Sequence, residues 1–265
     1  MQYLMGDTLL KVDNVSKAYD GKVVLRDINF EIKDIVRPNI QQGQVVSLVG
    51  QSGVGKSTLF DILSGTLRAD TGSVLIGKEK KEACIGDMGV VLQDYFIYPW
   101  RKVKTILAFA VEKNPKIKTA DRDAAIADIA GQFNLSDHLS KYPFQLSGGQ
   151  KQRVSIAEQL LIGDDFILLD EPFSGLDGLM IDKVTDLLDK VAQSDELKTL
   201  IIVSHDLVNS LAISDTVFVL AKEEGKAGAT ITKKIDLISR GLCWQKDIKE
   251  MPQFRELLKE VKADL

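Results

Sequence analysis

The run Gly50-Gln51-Ser52-Gly53-Val54-Gly55-Lys56-Ser57-Thr58 fits the spacing GxxxxGK[ST], which suits phosphate binding. Glycines let backbone N–H groups converge on phosphate oxygens, because no Cβ obstructs the approach. A helix opening at the end of such a loop adds about half a positive charge. Lys56 would reach the β- and γ-phosphates, and Ser57 would offer its hydroxyl to Mg²⁺. A second constellation is Phe166-Ile167-Leu168-Leu169-Asp170-Glu171, an apolar run that ends in two acids. Ligands bind at the carboxyl edge of a parallel sheet. A carboxylate there suits Mg²⁺, which takes one or two such ligands plus phosphates and waters. Asp170 is the candidate metal ligand, and Glu171 can polarise an attacking water.

The third constellation is Leu146-Ser147-Gly148-Gly149-Gln150. Ser147 stands where a helix cap would stand, and Lys151 and Arg153 follow in the first turn, so this is a second anion-binding helix start. One nucleotide does not need two such ends beside its own phosphate loop. A second subunit would explain the duplication; a plainly capped helix after Pro143 is the other reading.

These residues need elements to hold them. Val45–Val49 is nearly all apolar, as in a strand buried on both faces. Lys56–Ser64 places Leu59, Ile62 and Leu63 at helical spacing. Phe166–Leu169 and Leu200–Val203 read as buried strands, and Asp182–Val191 between them as a helix through Val184, Leu187, Leu188 and Val191. Asp121–Gly131, Val154–Leu161 and Phe254–Val261 have helical patterns, and Val74–Ile76, Val90–Leu92 and Val217–Leu220 are short strand candidates. Alternating strands and helices predict a parallel sheet with helices on its faces. At the front, Leu9–Lys17 and Ile28–Ile32 alternate apolar and polar residues, and Asp20-Gly21 marks a turn between them. That predicts a small antiparallel layer, followed by a loop over Lys33–Gln44.

Composition excludes several classes. The 265 residues are 45% hydrophobic and 27% charged, with a net charge of −4. The apolar fraction allows a sizeable core. The longest apolar run, Ile106–Val111, is far short of the ~20 residues of a spanning helix. Met1–Thr8 lacks the pattern of a secretory signal. Cys84 and Cys243 are far apart, which implies neither a disulfide framework nor a zinc site. Mild acidity argues against a nucleic-acid partner, which usually leaves a basic footprint.

LSGGQKQR, with the phosphate loop about 95 residues before it and FILLDEP shortly after, resembles the nucleotide-binding subunit of ABC transporters over roughly residues 8–222. The resemblance implies an α/β P-loop NTPase fold with a mainly parallel sheet core, an N-terminal antiparallel β-subdomain and an inserted helical signature subdomain. The cassette would span 8–229, with the helical insertion at about 94–160 and a short packed tail over 230–265, anchored by Trp244 and Phe254. Further roles are implied residue by residue. Tyr19 matches the aromatic residue stacked on adenine. Gln93 matches the glutamine that senses Mg²⁺ and the attacking water. Ser174-Gly175-Leu176-Asp177 matches a loop crossing a dimer interface, and His205 the histidine at the γ-phosphate. Lys56, Gln93, Glu171 and His205 would be catalytic, and Ser57, Gln93 and Asp170 would hold Mg²⁺.

The family implies two subunits packed head to tail around two ATP molecules, each between Gly50–Thr58 of one chain and Leu146–Gln150 of the other. Such a motor sits at the cytoplasmic face of a membrane and drives a separate permease. Asp94-Tyr95-Phe96-Ile97-Tyr98-Pro99-Trp100-Arg101 either meets that permease, since aromatics and Arg are enriched at hot spots, or packs inside the helical subdomain. Pro99-Trp100-Arg101 and Lys141–Gly149 are similar to importers of the nitrate, sulfonate and taurine type, which work with an external solute-binding protein. Departures from the family pattern are an insertion over Lys33–Gln42, Glu158 where arginine is frequent, Gly163-Asp164-Asp165 in place of a proline-containing link, and Ser174-Gly175 for Gly-Ala. The alternative is a soluble ABC ATPase in a nucleic-acid or translation complex, but the long coiled coils, zinc cysteines and second cassette of such relatives are missing.

Overall fold

A computed structural model of the chain describes residues 3–36, 43–176, 178–194, 198–243, 245 and 247–265. Two compact units emerge, one from Met1–Asp87 with Leu168–Leu265 and one from Met88–Ile167. In chain order the first unit begins with β1 (Leu4–Tyr19), β2 (Lys22–Val36), β3 (Gln44–Val49), α1 (Lys56–Leu63), β4 (Thr71–Ile76) and β5 (Lys81–Glu82). The second unit carries β6 (Gly89–Val91), α2 (Val103–Lys113), α3 (Arg122–Gln132) and α4 (Gly148–Ile162). The chain then returns through β7 (Phe166–Asp170), α5 (Gly178–Ser194), β8 (Thr199–Ser204), α6 (Leu207–Ile213), β9 (Thr216–Lys222), β10 (Ala229–Asp236) and α7 (Pro252–Ala263).

In the first unit the strands run in the order β5-β4-β1-β2-β10-β9-β3-β8-β7. The antiparallel layer is built on the β1–β2 hairpin, where Tyr19 faces Lys22 across a turn with Asp20 at φ 50° and Gly21 at φ 78°. Two positive φ values give the turn whose twist matches the flanking strands. The hairpin is longer than the alternation predicts. Leu4 and Met5 pair with Val36 and Ile35, so Lys33–Val36 is strand rather than loop, because β1 extends far enough to satisfy its backbone. The rest of the Lys33–Gln42 insertion, residues 37–42, lies outside the described residues.

The half of the sheet around β3 is parallel. β3 pairs with β8 on one side and β9 on the other, Val46 opposing Ile201 and Thr216. All six residues of β3 are buried, which explains its unbroken apolar reading. β10 then adds antiparallel to β9.

In the second unit, Ser147 caps α4 and Gly163 ends it at φ 88°. A side chain there would be strained by its φ and would meet Asn114, whose Nδ2 donates to the Leu161 oxygen at 3.0 Å. The substituted Gly163-Asp164-Asp165 link thus begins as a left-handed helix cap. Val154, Ile156, Ala157 and Leu161 of α4 and Val103, Ile106, Leu107, Ala110 and Val111 of α2 are buried.

Candidate active site

The phosphate loop leaves β3 at Gly50 and enters α1 at Lys56. Its sequence is dictated by close approaches. A Cβ on Gly50 would stand 2.5 Å from the Leu220 oxygen of β9. Gly55 has φ 116°, and a Cβ there would press on Val24 and Leu25 of β2 at 3.0 Å. Val54 is buried, whereas Gln51, Ser52, Gly53 and Ser57 face outward and Thr58 is half-buried. The first turn of α1 carries no acid, so its positive end is uncompensated.

Lys56 is folded back over its own loop. Nζ donates to the oxygens of Gly50 at 3.0 Å and Gln51 at 3.1 Å, and stands 3.7 Å from Oε1 of Glu171. Burial pushes the Lys56 amine below its ordinary range, against the pull of Glu171 and Asp170. Asp170, at the end of β7, is pushed up by burial, then by Glu171 and Asp61. Such a carboxylate gains from a nearby cation.

Glu171 follows β7 with φ 46°, a left-handed backbone uncommon outside glycine. Its N–H donates to the Val203 oxygen at 2.8 Å, which ties it to β8. Its carboxylate accepts from Ser204 Oγ at 2.8 Å and from the His205 N–H at 3.1 and 3.2 Å. Nδ1 of His205 lies 2.8 Å from Oε2, with the ring about half exposed. Lys56, Glu171, Ser204 and His205 therefore form one cluster, with Asp170 beside it. Ser204 is the member that motif reading misses; a serine ending a strand has no signature of its own. Asp206 caps α6 through Asn209, which fixes the turn that carries His205.

Tyr19 stands at the end of β1, 46% exposed, with Lys17 Nζ 5.7 Å from its ring centroid. Its strand partner β2 abuts the phosphate loop at Gly55. Ser174, Gly175 and Leu176 lie between β7 and α5; Asp177 lies outside the described residues.

In the second unit, Gln93 follows β6 and is exposed. Ser147 and Gln150 make a reciprocal cap: Oε1 of Gln150 accepts the Ser147 N–H at 2.9 Å, and Ser147 Oγ accepts the Gln150 N–H at 3.3 Å. Nε2 of Gln150 lies 3.0 Å from Nε2 of His138, another residue that the sequence reading leaves unassigned. Leu146 and Gly149 are buried while Ser147 and Gly148 are exposed. The reciprocal cap takes the amides of Ser147 and Gln150, and Gly148 between them is exposed. Of the aromatic stretch, Phe96, Tyr98 and Trp100 are exposed and joined edge to face at 5.9 and 5.8 Å. Ile97 is buried, and burial pushes the Tyr95 hydroxyl up to about 12.

Of the residues expected to hold a metal, the Ser57 hydroxyl and the Asp170 carboxylate belong to the first unit and the Gln93 amide to the second. These are hard oxygens, the chemistry Mg²⁺ prefers. Among the described residues no cluster of three His, Cys, Asp or Glu could hold an ion by itself. No helix among the described residues is long and apolar enough to cross a membrane.

A family model described as ABC transporter matches residues 34–174. The aliphatic sulfonates import ATP-binding protein SsuB 1 of Xanthomonas axonopodis pv. citri is 34% identical over 83% of this chain and 84% of its own. The nitrate import ATP-binding protein NrtC of Synechococcus elongatus is 34% identical over 80% of this chain, which spans 32% of that longer protein. Among solved structures, a dimeric ATP-binding cassette in a post-hydrolysis state bound to ADP and Pi superposes with a TM-score of 0.68 at 25% identity, over 86% of this chain and 99% of its own.

Proposed function

This chain belongs to the ABC transporter family, and from that premise we propose that it hydrolyses ATP to energise uptake of a small solute through a separate permease. The family makes it an ATP-binding ATPase. The observation that carries the site assignment is the cluster in which Glu171, held by Ser204 and His205, stands 3.7 Å from the phosphate-loop lysine.

ATP would lie with its adenine on Tyr19 and its phosphates on the amides of Gly50–Thr58. Lys56, already stripped of much of its water, would exchange the Gly50 and Gln51 oxygens for phosphate oxygens. Mg²⁺, held by Ser57, Asp170 and Gln93, would supply charge neutralisation for the transferring phosphoryl group. Donors from Ser204 and from the His205 backbone and ring fix the Glu171 carboxylate. It acts as the base that orients and deprotonates the attacking water, and the remaining ring nitrogen of His205 is available to the γ-phosphate. Catalysis in such a site is positioning and electrostatics.

A second copy packed head to tail would complete the site with its Leu146–Gln150, and Ser174–Asp177 would line the junction. The exposed row Phe96, Tyr98 and Trp100 supports Tyr95–Arg101 as the permease contact. The solute is of the nitrate, sulfonate or taurine type, delivered by an external binding protein, and the chain works peripherally at the cytoplasmic face. Turnover of purified chain tests the site: Glu171→Gln keeps ATP binding and loses at least about a hundredfold in rate, the scale of a lost general base. Unchanged turnover removes Glu171 from that role. Membranes that yield no integral partner on pull-down would remove the permease.

A further inference from the structure

α7 is packed into the same core that supports the nucleotide loop. Its Phe254, Leu257 and Val261 join a cluster with Val49, the residue before Gly50, and with Leu207 and Leu211 of α6, the helix after His205. Ion pairs clasp it from outside: Lys233 of β10 reaches Glu260 at 2.9 Å, and Arg240 pairs with both Glu260 oxygens at 2.8 and 3.2 Å. Two residues past its end, the backbone oxygen of Leu265 accepts a 2.7 Å hydrogen bond from Nε2 of Gln51.

Gln51 is the second residue of the phosphate loop and is exposed. It is held from two directions, its main-chain oxygen by Lys56 and its side chain by Leu265. A phosphate loop binds through backbone amides, so order present before ATP arrives lowers the entropic cost of binding. When Lys56 turns to the phosphates, the main-chain hold on Gln51 is given up. The Leu265 bond can persist through that change.

We propose that Leu265 is a positioning residue for ATP binding: docked by α7, its backbone oxygen anchors Gln51 and with it the shoulder of the phosphate loop. α7 is thereby a strap joining the loop to the helix behind His205.

The test is titration of the full chain with a fluorescent ATP analogue, alongside KM, kcat and the thermal midpoint. The variants are Gln51→Ala, the chain shortened to end at Asp264, and the two combined. Each single change should raise the analogue Kd and the KM for ATP roughly 3- to 10-fold, the scale of one hydrogen bond. In the chain that ends at Asp264, kcat should stay within about twofold, because Leu265 touches no reacting atom. The combination should match the singles rather than multiply them, since both remove one interaction. Unchanged affinity in either single variant overturns the proposal, as does a multiplicative double. An affinity loss matched by a proportional fall in thermal midpoint also overturns it, because α7 would then be packing alone.

Discussion

Glu171 takes its orientation from a neighbour that motif reading does not mark. Ser204 Oγ donates to Oε2 at 2.8 Å, the same oxygen that Nδ1 of His205 approaches. A hydrogen bond to a charged group contributes about 1.5–3 kcal/mol, so Ser204→Ala should lower kcat about tenfold or more while ATP affinity stays near wild type. Equal loss in kcat and affinity would mean that the serine supports the fold instead. Glu171 is legible in sequence as an acid that follows a buried apolar run, and His205 only through the family resemblance. Ser204, His138 and the Gln51–Leu265 bond are not. Ser204 reaches Glu171 only because β8 lies beside β7 after folding, His138 meets Gln150 across a turn of the helical unit, and Leu265 reaches Gln51 through the packing of α7.

At the scale of elements, the start of α4 was readable because its cap is local: Ser147 and Gln150 satisfy each other three residues apart. Losing an N-cap costs about 1 kcal/mol, so Ser147→Ala should lower the thermal midpoint by a few degrees and leave ATP binding by single chains unchanged. Glu158, further along α4, lies in a cleft of about 390 Å³ with Tyr98, Trp100, Phe109 and Lys113. Burial pushes its carboxyl up to about 7, with Lys113 opposing. A carboxyl whose folded value exceeds its unfolded value stabilises the fold at low pH and loses that contribution as pH rises through about 7. Glu158→Gln should therefore unfold at a higher temperature than wild type at about pH 8 and at nearly the same temperature near pH 4. Equal midpoints at both pH values would show the carboxyl to be solvated. Elements that escaped sequence reading did so for physical reasons. The alternation of β10 is interrupted by a register shift between Ile231 and Lys233. The apolar Ile106–Val111 segment of α2 masks any period, and α6, with seven residues, is too short to display one.

At the scale of the whole molecule, the start of α4 bears on assembly. A chain that leaves Gly148 exposed at a second helix start, beyond its own phosphate loop, fits a partner that brings a nucleotide to it. Ser147→Arg, which fills that edge, should leave the ATP affinity of single chains unchanged and block ATP-dependent pairing. Light scattering on Glu171→Gln with saturating ATP and Mg²⁺ tests the account most directly. The account predicts a particle of twice the 29.3 kDa chain mass, carrying one ATP per chain and dissolving when Ser147→Arg is added. A particle that stays at the mass of a single chain with ATP bound would contradict it.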